Sequence, residues 1–193
     1  MTGRPSAASQ GLDEHLSRPP YVAAPDFEAK YRAQCFCGRV QWSIGQDALS
    51  SMYCHCETCQ TLHGTPYQWA AVVPKESVHF TAGIDALCYY SSGERAARYT
   101  LPCKLSCGDC RAPIADEGRN MMLLMPTYIA FPRDHNGRKL VPQPWKPQHH
   151  MFYGRRVADM KDGLEKYVTK KGEGKCDDEG RVIEDEQGAK GEK

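Results

Sequence analysis

Short runs of alternating apolar and polar residues, each closed by Gly or Pro, recur through the middle of the chain. The segments 40–44 (VQWSI) and 77–83 (SVHFTAG) alternate in this way and lead to glycines. The segment 67–74 (YQWAAVVP) is rich in aromatic and β-branched residues and ends at a proline. A period of two and these residue types are typical of β-strands. We therefore predict strands in all three segments.

Further segments extend the same pattern. LCYYSSG (87–93) and RYTLPC (98–103) predict two more strands, and RNMMLLMP (119–126) indicates a buried strand, with a helix as the alternative. The proline-rich stretch 132–148 is typical of a long loop. HHMFYGRRVADM (149–160) then predicts a last strand and a turn. The body of the protein is expected to be mainly β.

Both ends of the chain differ from this body. Residues 1–30 are rich in Pro, Ser and Ala without periodicity, and residues 169–193 are mostly Gly, Lys, Asp and Glu. Segments of this kind bury too little apolar area to offset the entropy of ordering. We predict a flexible arm over residues 1–30, one domain over residues 31–168 and a disordered tail over residues 169–193.

Charge and hydropathy exclude several classes of function. Lys and Arg number 25 against 24 Asp and Glu, so a net charge of +1 favours neither nucleic acid nor an anionic membrane as a partner. The longest apolar runs, such as residues 121–125, are far shorter than the roughly 20 residues of a membrane span. Residues 1–20 carry no apolar core typical of a signal peptide. We expect a cytoplasmic protein.

Seven of the ten cysteines fall into three clusters, QCFCG, CHCETC and SCGDC. A reducing cytosol disfavours disulfides, so clustered thiols there indicate metal ligation or catalysis. Zinc in a tetrahedral site takes four such ligands, and a site with three protein ligands keeps a position for water or substrate. Seven thiols therefore divide into four and three, which predicts one structural and one catalytic zinc. Spacing alone leaves open which clusters pair.

A resemblance to a known family bears on that pairing. QCFCGRVQW, YCHCETCQTLHG, CGDCRAPI and HHMFYGRRVADMKDGLEKY occur in this order between residues 31 and 167. They resemble the successive signatures of the glutathione-dependent formaldehyde-activating enzyme family, whose domain is shared with centromere protein V (the CENP-V/GFA domain). Members of fungal type look most similar.

The resemblance implies an Mss4-like zinc fold, a β-tent of short antiparallel strands, with two Zn²⁺ ions per chain. The outer clusters would hold the structural zinc. The central CxCxxC motif would hold the catalytic zinc at an open coordination site. The implied ligands of the first ion are Cys35, Cys37, Cys107 and Cys110, and those of the second are Cys54, Cys56 and Cys59.

Several other residues near these motifs are candidates for chemistry. His55, Glu57 and His63 flank the central cluster and have the side chains of general acids, bases or partners that orient ligands. A second set of residues could also lie near the site or line a pocket: His149, His150, Asp116, Glu117 and Arg119. For these residues a structural role, in packing or in capping a turn, has equal weight. Tyr67 and Trp69 are expected in the core or a pocket wall. We expect no metal at Cys88, Cys103 or Cys176, although Cys103 would compete for one if Cys107 were misassigned.

Function follows from the resemblance more than from any single residue. It implies a zinc-dependent enzyme similar to carbon–sulfur lyases, acting on a glutathione adduct or a small carbonyl compound, with glutathione as a co-substrate. One alternative is a detoxification or secondary-metabolite enzyme of the same fold that does not use glutathione. Another is a non-catalytic, zinc-stabilised protein-binding module. By analogy the family is also compatible with a homodimer.

Overall fold

The structure is a computed structural model, and it describes residues 26–183. Predictions made for residues 1–25 and 184–193 lie outside the described residues. The described segment contains one short α-helix, α1 (Glu57–His63). Its strands, in chain order, are β1 (Tyr31–Gln34), β2 (Gln41–Ile44), β3 (Ser50–Cys54), β4 (Gln68–Pro74), β5 (Val78–Ala82), β6 (Leu87–Tyr90), β7 (Cys103–Cys107), β8 (Pro113–Glu117), β9 (Met121–Leu124), β10 (His149–Met151), β11 (Glu165–Tyr167) and β12 (Lys175–Cys176). The prediction of a mainly β protein is confirmed.

The chain divides into two compact units. Among the described residues, the first contains residues 26–51 and the segment Ala70–Lys146, and the second contains Met52–Trp69 and residues 147–183. In the described part of the chain, no helix is long and apolar enough to cross a membrane.

The first unit is built from antiparallel strands. One sheet has the order β1-β2-β5, and a second run of strands has the order β4-β9-β8-β7-β6. Alternate residues of β7 are buried, as expected when one face of a strand packs on a core. The largest fully buried side chains of this unit are Trp42, Ile44, Phe80, Leu87, Leu105, Ile114, Met122, Leu124, Ile129 and Trp145.

The second unit combines parallel and antiparallel pairing. β10 pairs in parallel with both β3 and β11, and β12 pairs antiparallel with β11. β3 leads directly into the loop that precedes α1. The core of the second unit is unusually polar, because His149, His150 and Lys166 are at most 2% exposed. Tyr153, which is fully buried, supplies the largest aromatic ring there.

Strand predictions held best where alternation was regular. β2, β4 and β5 lie within the segments 40–44, 67–74 and 77–83, and the apolar run at 121–124 is the strand β9 and not a helix. The segment 98–102 is not a strand; β7 begins at Cys103, after Pro102, which has no N–H to donate to a ladder.

The sequence analysis did not predict helix α1 or the strands β1, β3, β8, β11 and β12. Helix α1 was not expected, since its N-cap is Cys56, whose thiol accepts from the backbone N–H of Cys59 at 3.4 Å. A cysteine is not among the usual capping residues. At the other end, Gly64 adopts the left-handed conformation with a φ of 59° and ends the helix.

The structure also differs from the sequence prediction towards the C-terminus. The segment 149–160 contains β10, but β11 and β12 follow it, and β12 lies inside the segment predicted to be a disordered tail. Cys176 in β12 is 4% exposed, and the backbone O of Asp178 accepts the hydroxyl of the buried Tyr153 at 2.7 Å. Residues 170–183 therefore order through a few buried contacts and hydrogen bonds, which average composition does not reveal.

Candidate metal centres

The first group of thiols lies in the first unit. Cys35 and Cys37 lie in the turn after β1, and Cys107 ends β7, with Cys110 in the turn that follows. All four Sγ atoms lie within 4.8 Å of one another. The Sγ atom of Cys37 is 3.5 Å from that of Cys35 and 3.8 Å from that of Cys107. Two tight turns thus aim four thiols at one point.

Backbone geometry explains why these turns hold their shape. Gly38 has a φ of 77° and donates its N–H to the Cys35 carbonyl at 3.1 Å. Arg111 has a φ of 62° and donates in the same way to the Cys107 carbonyl at 2.9 Å. The N–H of Val40 also donates to the Cys35 sulfur at 3.3 Å, which helps to fix the position of that sulfur. Cys35 and Cys107 are at most 1% exposed, so the group is closed on one side by protein.

The second group of thiols lies in the second unit. Cys54 ends β3, Cys56 caps α1 and Cys59 lies in the first turn of that helix. Their Sγ atoms lie within 4.8 Å of one another, and those of Cys54 and Cys59 are 3.6 Å apart. Among residues 26–183, no histidine or carboxylate joins the three thiols in this group. It therefore offers one protein ligand fewer than the first group.

Both groups fit zinc in their donor chemistry and spacing. Sulfurs around one tetrahedral ion at a Zn–S distance of about 2.3 Å lie about 3.8 Å apart, close to the separations seen here. Burial raises the pKa of Cys107 to about 12. The hydrogen bond with the Cys56 thiol raises the pKa of Cys54 to about 11. Metal binding at either group must therefore displace protons.

Buried polar contacts support the loop between β3 and α1. The Nε2 atom of His55 lies 2.8 Å from Nδ1 of His150, whose Nε2 lies 2.8 Å from Oδ2 of Asp162. The amide of Gln60 donates to the backbone O of both His55, at 2.9 Å, and Arg155, at 2.8 Å. His55, which lies between Cys54 and Cys56 in the sequence, is thus held through its side chain and its backbone.

Comparison with known proteins was made on the whole chain. A family model described as "Glutathione-dependent formaldehyde-activating enzyme" (GFA) matches residues 30–155, which is more than half of the chain. The chain belongs to the GFA family. No curated protein matches it. One similar solved structure is a crystal structure of a Rhodobacter sphaeroides protein, with 15% identity and a TM-score of 0.43 over 54% of this chain and 93% of that one.

The GFA match contains all seven clustered cysteines, and the structure brings them together as the four and the three that the resemblance implied. Cys88, Cys103 and Cys176 belong to neither group. Cys103 lies in β7 and is 2% exposed, and burial raises its pKa to about 12.

The three candidate acid or base residues occupy different environments. His55 is 1% exposed, and burial lowers its pKa to about 4. The carboxylate of Glu57 is 74% exposed and pairs with Arg155 at 3.1 Å. His63 is half-buried in the last turn of α1, four residues after Cys59 and hence on the same helix face.

The polar run after the first group of thiols is part of the fold. Glu117, at the end of β8, is fully buried and pairs with Lys75 at 2.5 Å, and Asp116 pairs with Lys104 at 2.8 Å. Arg119 is exposed in the turn before β9. The alternation that places Glu117 on the buried face of β8 is visible in the sequence only once that strand is recognised.

Aromatic side chains gather in the second unit, where Tyr67 and Trp69 are half-buried. The ring of Tyr53 lies 4.7 Å from that of Tyr67 and 6.4 Å from that of Trp69. Tyr67 also contacts the His55 ring at 5.4 Å. Asp162 and Gln60 were not predicted as site residues, although they lie within the family-like segments HHMFYGRRVADMKDGLEKY and YCHCETCQTLHG.

Proposed function

We propose that this GFA-family protein is a zinc-dependent enzyme that joins or separates a thiol and a small carbonyl compound at the Cys54, Cys56 and Cys59 group, with glutathione as the thiol. The observation that carries the proposal is the difference between the two groups of thiols. One offers four ligands and the other, in the described residues, three. A site with three protein ligands keeps a position for a reactant.

The donor set favours this chemistry. Zinc held by three thiolates supplies a weakly Lewis-acidic centre that accepts a soft sulfur or a polarised oxygen as fourth ligand. Cys54, Cys56 and Cys59 are the residues that would hold it. In the addition direction, the S–H bond breaks, a C–S bond forms at the carbonyl carbon, and the carbonyl oxygen takes the thiol proton. The step needs no oxidant or reductant.

His63 is the residue that we propose to carry that proton. It lies one helical turn after Cys59 on the same face of α1, where Cβ atoms are about 5–6 Å apart. Glu57 is less suited, because its carboxylate is largely solvated and paired with Arg155. A proton carrier near neutral pH is most often an imidazole, because its ordinary pKa is about 6.5.

The test is the rate at which ¹³C-labelled formaldehyde and glutathione exchange with S-(hydroxymethyl)glutathione, followed by NMR. We expect the protein to accelerate this exchange and the Cys56→Ser variant to lose the acceleration with its fold retained. Cys88→Ser is the matched control, since Cys88 is half-buried but belongs to neither group of thiols. Unchanged turnover in Cys56→Ser, with zinc absent from that group, would refute the proposal.

Other outcomes assign the chain to the remaining functions. Acceleration with small carbonyl compounds but without glutathione would indicate the glutathione-independent enzyme. Zinc bound at both groups without turnover on any thiol or carbonyl compound would indicate a zinc-stabilised binding module.

A further inference from the structure

A line of polar side chains, buried at the two histidines and Lys166 and partly exposed at Asp162, runs from the second group of thiols to the segment after β10. His55 and His150 are at most 1% exposed, and their rings stack at 5.1 Å with an interplanar angle of 30°. The line continues from His150 Nε2 to Asp162 Oδ2 at 2.8 Å. Asp162 Oδ1 in turn accepts from Lys166 Nζ at 3.1 Å, and Lys166 is 2% exposed. Buried polar groups that are this well paired are costly to misplace.

The chemistry of the groups gives the line a direction. A carboxylate only accepts hydrogen bonds, so Nε2 of His150 must donate to Asp162. In a neutral ring, Nδ1 of His150 then accepts, and Nε2 of His55 must donate to it. Asp162 thus sets the tautomer and the ring orientation of His55, two hydrogen bonds away. Nδ1 of His55 has no hydrogen-bond partner among residues 26–183.

His55 is also held through its backbone. Its N–H donates to the Met151 carbonyl at 2.9 Å, and its carbonyl accepts from the Gln60 amide at 2.9 Å. Because His55 is joined by peptide bonds to Cys54 and Cys56, fixing His55 at three atoms limits how far the two sulfurs move apart. Asp162 lies beyond residues 30–155, the part of the chain that the family model matches.

We propose that Asp162 and His150 are positioning residues for the second group of thiols, holding His55 so that Cys54 and Cys56 keep the spacing that binds metal. The inference rests on the proposed function only in taking this group as a metal site. Neither residue need touch the metal or the substrate. Partners that orient a metal site typically change metal affinity about 10–100-fold when they are removed.

Three variants test the hydrogen bonds that join Asp162, His150 and His55. Asp162→Asn keeps the shape but has one acceptor oxygen where three donors converge, namely His150, Lys166 and the N–H of Leu164. His150→Leu removes the bond to His55. His150→Asn places a side-chain oxygen where Nδ1 was and restores an acceptor for His55.

Tyr153→Phe is the matched control. Tyr153 is fully buried, and its ring contacts both histidines, at 5.2 Å from His55 and 5.4 Å from His150. Its hydroxyl makes two hydrogen bonds, to the Asp178 carbonyl and from the Met160 N–H, each 2.7 Å long. The phenylalanine ring keeps the contacts with both histidines. The variant therefore loses buried hydrogen bonds of the same unit and leaves the hydrogen bonds between His55, His150 and Asp162 in place.

The measurement is zinc affinity by competition with a chelator, together with the visible spectrum of the Co²⁺-loaded folded protein. We expect Asp162→Asn and His150→Leu to weaken the site assigned to Cys54, Cys56 and Cys59 about tenfold and to shift its cobalt bands. His150→Asn should lie nearer wild type. The first group of thiols, as internal control, and Tyr153→Phe should be unchanged.

Wild-type affinity and spectrum in folded Asp162→Asn and His150→Leu would overturn the inference, as would an equal loss in Tyr153→Phe. The readout needs no substrate. A protein that binds metal in this pattern but has no turnover would therefore refute the proposed function and leave the positioning role standing.

Discussion

Breaking the buried pair Lys75–Glu117 should lower the stability of the fold and leave the metal sites unchanged. The two side chains are 5% and 0% exposed, and Glu117 Oε1 accepts from Lys75 at 2.5 Å and from the Tyr99 hydroxyl at 2.7 Å. Lys75→Met leaves a buried carboxylate with the tyrosine as its remaining partner. Removing one partner of a buried pair costs about 3–5 kcal/mol of the free energy of unfolding.

The size of this loss depends on pH. Burial already raises the pKa of Glu117, and removing the lysine raises it further. A carboxyl whose folded pKa is raised stabilises below its unfolded pKa of about 4.5, and that stability is lost as pH rises through the folded pKa. The deficit of Lys75→Met relative to wild type should therefore be larger at pH 7.5 than at pH 5.

Urea unfolding of the zinc-loaded protein, in a constant excess of zinc, measures this free energy. Lys75→Met with Glu117→Gln should recover most of the loss, because a glutamine still accepts from Tyr99 and carries no charge. Zinc content of the folded single variant should equal that of wild type. A loss under about 1 kcal/mol at pH 7.5, or additive losses in the double variant, would refute the reasoning.

Further predictions concern histidines in the second unit. His63→Gln should lower kcat about 10²-fold or more, because it removes the proposed proton carrier. Glu57→Gln should change kcat less than about twofold, and equal effects of the two substitutions would contradict the role given to His63. His149 is 1% exposed, neither ring nitrogen has a hydrogen-bond partner among the described residues, and burial lowers its pKa. The free energy of unfolding of the wild type should therefore fall as pH drops below about 6.5, because His149 binds a proton in the unfolded chain and not in the folded protein. His149→Phe, which keeps a ring against Tyr167, should raise the free energy of unfolding by about 1 kcal/mol at pH 7 and by more at pH 5.5; parallel stability curves from pH 5 to 8 would contradict this.

The sequence was most informative where chemistry depends on spacing. A CxC or CxxC pair can be aimed at one point by a single tight turn, so seven clustered thiols already predict two metal sites. The family resemblance then implied which cysteines form the group of four and which the group of three, and the structure brings the same residues together. Strand β5 was visible because its residues alternate between a buried face and a more exposed one.

Contacts between residues distant in sequence could not be read in this way. Nothing local marks Asp162 as the partner of His150, or Glu117 as the partner of Lys75, because each pairing depends on how the strands fold together. Helix α1 is seven residues long and is capped by a thiol, so neither periodicity nor capping residues indicate it. Strand β12 lies in a segment whose composition is typical of disorder, but Cys176 is buried there.

Zinc content tests the central claim most directly. Protein purified without added metal is measured by elemental analysis as wild type, as Cys54→Ser/Cys56→Ser/Cys59→Ser and as Cys88→Ser. We predict about two zinc ions per chain in the wild type and in Cys88→Ser, and about one in the folded triple variant. One zinc in both the wild type and the triple variant, or two in the triple variant, would contradict a metal site at Cys54, Cys56 and Cys59.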